Sequence, residues 1–313
     1  MKVLVAENTT NKSYKQKVIH SFSEGLSKHK DEATILDGET MPDTSDLESN
    51  HVGVYYGVCK TQRSNYDMRQ QIKQVMDHYL EKRVIIETPL IDRKEINTEF
   101  RVGINGNLRQ NAVWAWHTVD PDRVKKFYAK RNFDTHIEFK KQRGDKIFLA
   151  LQNYDDLATQ GVDLYEWAKM TINQIRLYTD RQIIVRSNPH HSKQETESLY
   201  TFKNKIDTLE NVEFQYSGRR TNSIPLGQII DEAWCLICHS SGAAVDAVIK
   251  GIPVFSLSEQ SMAWEVSNHD LSTIENPKPL DTSNWFKKMA MIQYSVDEFA
   301  SGECWSYIRP LCL

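Results

Sequence analysis

Short apolar runs alternate with amphipathic stretches twice along this chain, and that alternation restricts it to α/β folding. In the first series Lys2–Ala6 predicts a strand and Tyr14–Leu26 a helix. Val52–Val58 is a second strand, Tyr66–Leu80 a helix and Val84–Glu87 a third strand. The second series opens with a strand at Lys146–Gln152 and a helix at Asp163–Tyr178. Strands follow at Gln182–Arg186 and Val212–Tyr216, then a helix at Leu226–Ala233 and a strand at Trp234–Cys238. Ser241–Lys250 is a helix, Ile252–Leu257 the last strand and Ser283–Ala300 a closing helix. Two such series predict two doubly wound, Rossmann-like domains facing each other across a cleft, divided at about 145/146. The closing helix, about 283–300, would cross back to the first domain. In open parallel sheets ligands bind at the carboxyl ends of the strands.

The formal net charge over 313 residues is -3, which excludes a general polycation but allows a local basic patch. No run approaches the ~20 apolar residues of a membrane span. The apolar run at the N-terminus stops at Glu7, too short for a secretion signal. The expectation is therefore a cytoplasmic protein without membrane insertion, its five cysteines reduced. Cys235 and Cys238 form a C-x-x-C inside the apolar run Trp234–Cys238, where they read as buried strand residues.

The link between the two series is basic. Asp122 to Lys146 holds nine basic and four acidic residues, a local balance of +5. Arg123, Lys125, Lys126, Lys130 and Arg131 fall in its first half, interleaved with Phe127, Tyr128 and Phe133. The segment reads either as a solvated surface helix with core aromatics or as a contact surface for a polyanion.

The most informative stretch runs from Trp234 to Phe255, WCLICHSSGAAVDAVIKGIPVF. A strand ends near His239, and Ser240, Ser241 and Gly242 turn the chain into a helix whose free N–H groups and dipole suit a phosphate. Gly251 ends that helix and Pro253 enters the next strand. A serine-capped strand–helix–strand unit without any ligand has the same spacing. Neither G-x-G-x-x-G nor the P-loop pattern occurs, which argues against dinucleotide enzymes and P-loop NTPases.

This stretch resembles the donor-binding motif of GT-B glycosyltransferases, especially the capsule-polysaccharide and Kdo-transferase-like group. There an Asn/His-Ser-Ser turn precedes a helix and then Gly-x-Pro-Val. The resemblance implies that Ser240, Ser241 and Gly242 face the donor phosphate and that Asp246 reaches the ribose. QIIVRSNPH, Gln182 to His190, is similar to the family strand ending in Arg-Pro-His-Pro, which implicates Arg186 and His190. IFLALQ, Ile147 to Gln152, is similar to the first donor-domain strand, whose terminal Gln lies near the cleft. Glu87, Arg93, the RVGING run at Arg101–Gly106 and the segment from Gln293 to Trp305 resemble phage proteins that glycosylate hydroxymethylated cytosine in DNA.

Sugar transfer needs a base for the acceptor hydroxyl and a clamp for the departing phosphate. Glu7, Glu87 and Asp92 are the base candidates, all at strand ends or loops of the first half, and the sequence does not separate them. His239 is a candidate contact for phosphate or sugar. His190 and His191 are adjacent, a poor arrangement for chelating one ion, and no D-x-D motif stands out, so no metal and no bound cofactor is expected. Arg93, Asn105, Trp114, Trp116, Lys125, Lys126, Lys130 and Arg131 are the acceptor-side candidates, the tryptophans as stacking groups or core residues. The implied partners are a nucleotide sugar and double-stranded DNA carrying hydroxymethylated bases. A glycan acceptor, a sugar-nucleotide epimerase and a non-catalytic nucleotide- or DNA-binding module remain open alternatives.

Overall fold

The computed structural model describes residues 1–7, 13–57, 68–93, 98–131, 137–140, 143–153, 157–159, 161–189, 193–217 and 224–313. The chain divides into two compact units, Met1–Phe133 with Phe286–Leu313, and Asp134–Trp285. The division falls at 133/134 and again at 285/286, where the sequence suggests 145/146 and a closing helix, about 283–300, that crosses back.

In the first unit β1 (Lys2–Ala6), α1 (Ser13–Lys28), β2 (Glu32–Leu36), α2 (Thr44–Ser49), β3 (Val52–Tyr56), α3 (Met68–Tyr79) and β4 (Lys82–Glu87) follow one another. The four strands are parallel, in the order β2-β1-β3-β4. Alternate side chains of β1, β3 and β4 feed two cores, because successive residues of a strand point to opposite faces. Val3, Val5, Val54 and Ile86 pack with Val18, Ile19, Phe22 and Leu26 of α1. Leu4, Tyr55 and Ile85 pack with Ile72 and Met76 of α3. β5 (Glu99–Ile104) runs antiparallel to β4, with Arg101 opposite Glu87. α4 (Pro121–Arg131) starts at a proline, which lacks the N–H a first-turn residue would leave unpaired. The Asp120 carboxylate caps it, accepting from the Asp122 and Arg123 amides.

The second unit contains β6 (Lys146–Ala150), α5 (Leu164–Ile175), β7 (Ile183–Arg186), α6 (Lys193–Ile206), β8 (Val212–Gln215), α7 (Leu226–Asp231), β9 (Ala233–Cys238), α8 (Ala243–Ile249) and β10 (Val254–Ser256). All five strands are parallel, in the order β10-β9-β6-β7-β8. The chain moves one way from β6 to β8 and the other way from β9 to β10, so the topological switch point lies between β6 and β9. Cys235 and Cys238 sit on β9 with no exposed surface, and burial pushes both thiols up. Gly251 closes α8 with φ +68, and a side chain there would meet the Glu138 carbonyl at 2.5 Å.

The chain ends with α9 (Ser283–Ala290), β11 (Gln293–Ser295), α10 (Val296–Ala300) and α11 (Glu303–Ile308). The single closing helix expected over 283–300 is therefore two helices parted by a strand. β11 pairs antiparallel with β5, completing the order β11-β5-β4-β3-β1-β2. Ser295 then caps α10 in a reciprocal box with Glu298. No helix of the described residues is long and apolar enough to cross a membrane.

Two buried charges tie this last segment into the first unit. Arg123, 4% exposed, donates to the Ala290 and Gln293 carbonyls and to Glu298 and Glu303. Asp31 accepts from Arg309, Trp305 and the Met1 ammonium. Burial pushes the Asp31 carboxyl up, but these donors outweigh it and hold it well below the usual carboxylate range. A carboxyl depressed on folding contributes stability above its unfolded pKa of 3.8 and loses it as pH falls further. Asp31→Asn should therefore lower the melting temperature near neutral pH, and its gap from the parent protein should narrow below about pH 4. Thermal unfolding from about pH 3 to about pH 7 checks this, and a gap of constant size would contradict it.

Candidate functional site

The carboxyl edge of the second unit carries the most complete arrangement. β9, β6 and β7 are neighbours in the sheet, and His239–Ser240, Gln152 and Arg186 stand at or just beyond their ends. Gln152 Oε1 accepts from the Ser240 amide at 2.9 Å and lies 3.0 Å from Ser240 Oγ, closing a bridge across the switch point. Ser240 Oγ also lies 3.3 Å from the Ala158 carbonyl. Its side chain thus fastens the loop. Ser241 Oγ accepts from the Ala243 amide at 3.3 Å. Gly242, in helical conformation, leads into α8 with no side-chain cap of its own. Asp246 is half-buried in the first turn of α8.

His239 Nδ1 lies 3.2 Å from Ser240 Oγ, and the Trp167 ring stands edge-on to the imidazole at 5.7 Å. Arg186 is buried and donates to Ser217 Oγ and the Ile224 carbonyl, and burial pulls its guanidinium down. Next to Gln152, the buried Asn153 Oδ1 has no hydrogen-bond partner among the described residues. Trp167 and Asn153 escaped the sequence reading, since neither belongs to the motif. His190 and His191 lie outside the described residues.

The first unit has its own switch point, between β1 and β3. Glu7 follows β1, and its carboxylate lies 3.0 Å from His20. Gly57 follows β3 with φ +74; a side chain there would stand 3.6 Å from Lys73 Nζ and 3.8 Å from Glu87 Oε1. Lys73 is buried and donates to the Tyr56 carbonyl at 2.5 Å. Nothing in the sequence marks this lysine apart from its place on α3. The third base candidate, Asp92, is paired with Arg131 Nε at 3.0 Å.

The acceptor-side residues do not assemble as one group. Asn105 has φ +60, and its side-chain amide bonds the Arg83 N–H and the Glu81 carbonyl. It therefore braces the start of β4, about 13 Å of extended chain from Glu87 at the other end. Trp114 is a core residue, 1% exposed, with its indole N–H on the Arg109 carbonyl, so it offers no stacking face. Trp116 is half-buried, with Lys288 Nζ 5.6 Å from its ring centre. Arg93 is exposed after β4.

The basic segment is largely neutralised from within. Lys126 reaches Glu303 at 2.7 Å and Glu298 at 3.1 Å. Lys130 and Arg131 both pair with the buried Glu99. Of Lys125, Lys126, Lys130 and Arg131, Lys125 alone has no carboxylate partner among the described residues. Counting charge along the sequence missed this, because the carboxylates come from β5 and the last thirty or so residues. Among the described residues no group of three His, Cys, Asp or Glu side chains is placed to hold a metal ion.

No protein-family model matches the sequence, and the search of curated proteins finds no match. Solved structures do share its fold. The β-Kdo 2,7 transferase of Thermosulfurimonas dismutans KpsC aligns over 97% of this chain and 98% of its own, with TM-score 0.55 and 12% identity. The β-Kdo 2,4 transferase of the same protein covers 92% of this chain and 91% of its own, with TM-score 0.53 and 11% identity. At that identity the likeness establishes the fold, a GT-B-like pair of Rossmann-type units. The UDP-GlcNAc 2-epimerase of Methanocaldococcus jannaschii covers 92% of this chain and 98% of its own at TM-score 0.35 and 13% identity, too low to argue for the epimerase alternative. The sequence likeness to phage DNA-modifying enzymes has no counterpart among these structures.

Proposed function

We propose that this chain is a glycosyltransferase that moves a sugar from a nucleotide-sugar donor to an acceptor hydroxyl. The second unit would hold the donor and the first the acceptor. The observation that carries the reading is the Gln152–Ser240 bridge over the β6/β9 switch point. It fixes the turn leading into α8 at the place where open α/β sheets take their ligands. In this reading the Ser241 and Gly242 amides and the dipole of α8 receive the diphosphate. Arg186 and His239 offset the charge that develops on it as the sugar leaves. Asp246 receives the ribose hydroxyls. In this reading Arg186 and the dipole of α8 take the part a metal would play, so none is needed.

Glu87 is the base we assign, because glycine at position 57 leaves open the approach to its carboxylate beside Lys73. Glu7, which follows β1 on the far side of β3, is the next candidate.

For the acceptor, the likeness at Glu87, Arg93, Arg101–Gly106 and Gln293–Trp305 supports hydroxymethylated cytosine in DNA. A specific observation favours a second reading, a polysaccharide or glycan: the cations of α4 that DNA would require are held by Glu99, Glu298 and Glu303. The experiment offers a panel of nucleotide sugars with hydroxymethylated DNA, unmodified DNA and oligosaccharides, read by mass spectrometry. Sugar on hydroxymethylated DNA alone supports the first reading, and sugar on an oligosaccharide alone the second. Absence of transfer and of donor turnover across the panel would overturn the enzymatic reading.

A further inference from the structure

The two sides of α4 differ. Arg123, Lys126 and Lys130 lie on one side and meet carboxylates. Pro121, Val124, Lys125, Tyr128 and Ala129 recur at helical spacing on another and line a groove of about 660 Å³ with Val119 and Lys287. That volume is within the range of small-molecule sites. Apart from its two lysines and one tyrosine the lining is apolar, and Val119, Pro121 and Ala129 are exposed. Lys125 and Lys287 are exposed as well and have no carboxylate partner among the described residues. The Tyr128 hydroxyl is buried and has no hydrogen-bond partner among the described residues. Burial pushes it up to about 12, so it stays a neutral donor.

We propose that this groove binds a single-chain anionic amphiphile, an acyl or alkyl phosphate, its chain along α4 and its head group on Lys125 and Lys287. Two ammonium groups suit a phosphomonoester, which carries close to two charges near neutral pH. An apolar lining suits hydrocarbon. A nucleotide fits worse: the groove offers its base one hydroxyl, and the remaining polar edges would lose water without gaining a partner. The inference is independent of the donor site and of the acceptor.

The test titrates the whole protein with dodecyl phosphate kept below its micelle concentration, and in parallel with inorganic phosphate and dodecyl maltoside. Dodecyl phosphate should bind at one site per chain, and the other two probes should not. Lys125→Glu with Lys287→Glu should weaken binding about tenfold or more. Ala129→Trp, at an exposed position, should fill the groove and abolish binding while the thermal unfolding curve stays in place. Equal binding of dodecyl maltoside would overturn the proposal by showing that charge plays no part. Equal binding of inorganic phosphate would do so by showing that the chain plays none. Binding that survives Ala129→Trp would place the amphiphile elsewhere and overturn it as well.

Discussion

Arg123→Ala should destabilise the first unit by about 3–5 kcal/mol, as loss of one partner from a buried charge network does. The guanidinium spends its donors on two carbonyls and two carboxylates: Nε on Ala290, Nη2 on Gln293, and Nη1 on Glu298 and Glu303. It also lies over the Tyr294 ring, 4.0 Å from its centre. Alanine leaves the two carbonyls without these donors and leaves Glu298 less compensated. Burial pushes the Glu298 carboxyl up, and Arg123 and its other partners now hold it below its usual value. Lysine should not rescue the loss, because one ammonium cannot reproduce a planar fork. Thermal unfolding should show a fall on the order of 10 °C for either substitution. A change within about 2 °C would mean that the network is solvated and carries little.

Gln152→Leu should weaken binding of a nucleoside diphosphate by roughly 10- to 100-fold, corresponding to one or two lost hydrogen bonds to an otherwise fixed loop. Leucine is close in size but cannot accept from the Ser240 amide or hydroxyl. The turn into α8 then loses the strut that crosses from β6. The unfolding transition should move far less than the affinity, since Gln152 is only half-buried and lies outside the second unit's core. Calorimetric titration of both proteins decides it. Equal affinities would separate the bridge from ligand binding.

The parts of this fold legible in the sequence are those whose local pattern and tertiary role agree. β1, β6, β9 and β10 are parallel strands and read as unbroken apolar runs. The turn through Ser240 to Gly242 is punctuated by its own residues. The edge strand β2, EATIL, is exposed at four of its five residues and has no such pattern. α6, KQETESLYTFKNKI, has only three buried apolar residues among those described, Leu199, Phe202 and Ile206, too few to mark a helix by pattern. β11 exists because β5 lies ready to pair with it, almost two hundred residues earlier in the chain.

The site was readable to the same degree. Gln152, Arg186 and Ser240, which the motif singles out, stand at or just beyond the ends of neighbouring strands. The alternation alone could not reveal that Gln152 bonds Ser240, that Lys73 is buried and shares the surroundings of Gly57 with Glu87, or that Trp114 belongs to the core. The basic segment misled for a physical reason. Ion pairs form in space, and Glu99, Glu298 and Glu303 are remote in sequence from the cations they meet.

If the carboxyl edge of the second sheet is a nucleotide-sugar site, it should take a nucleoside diphosphate without a metal. Calorimetric titration of nucleoside diphosphates in the presence of EDTA, on the parent protein and on Gly242→Trp, tests it most directly. The parent protein should show one site per chain, unaffected by EDTA and at least about tenfold weaker in Gly242→Trp, where an indole would stand at the entry to α8. No binding by the parent protein, binding that EDTA abolishes, or equal binding by the two proteins would contradict it.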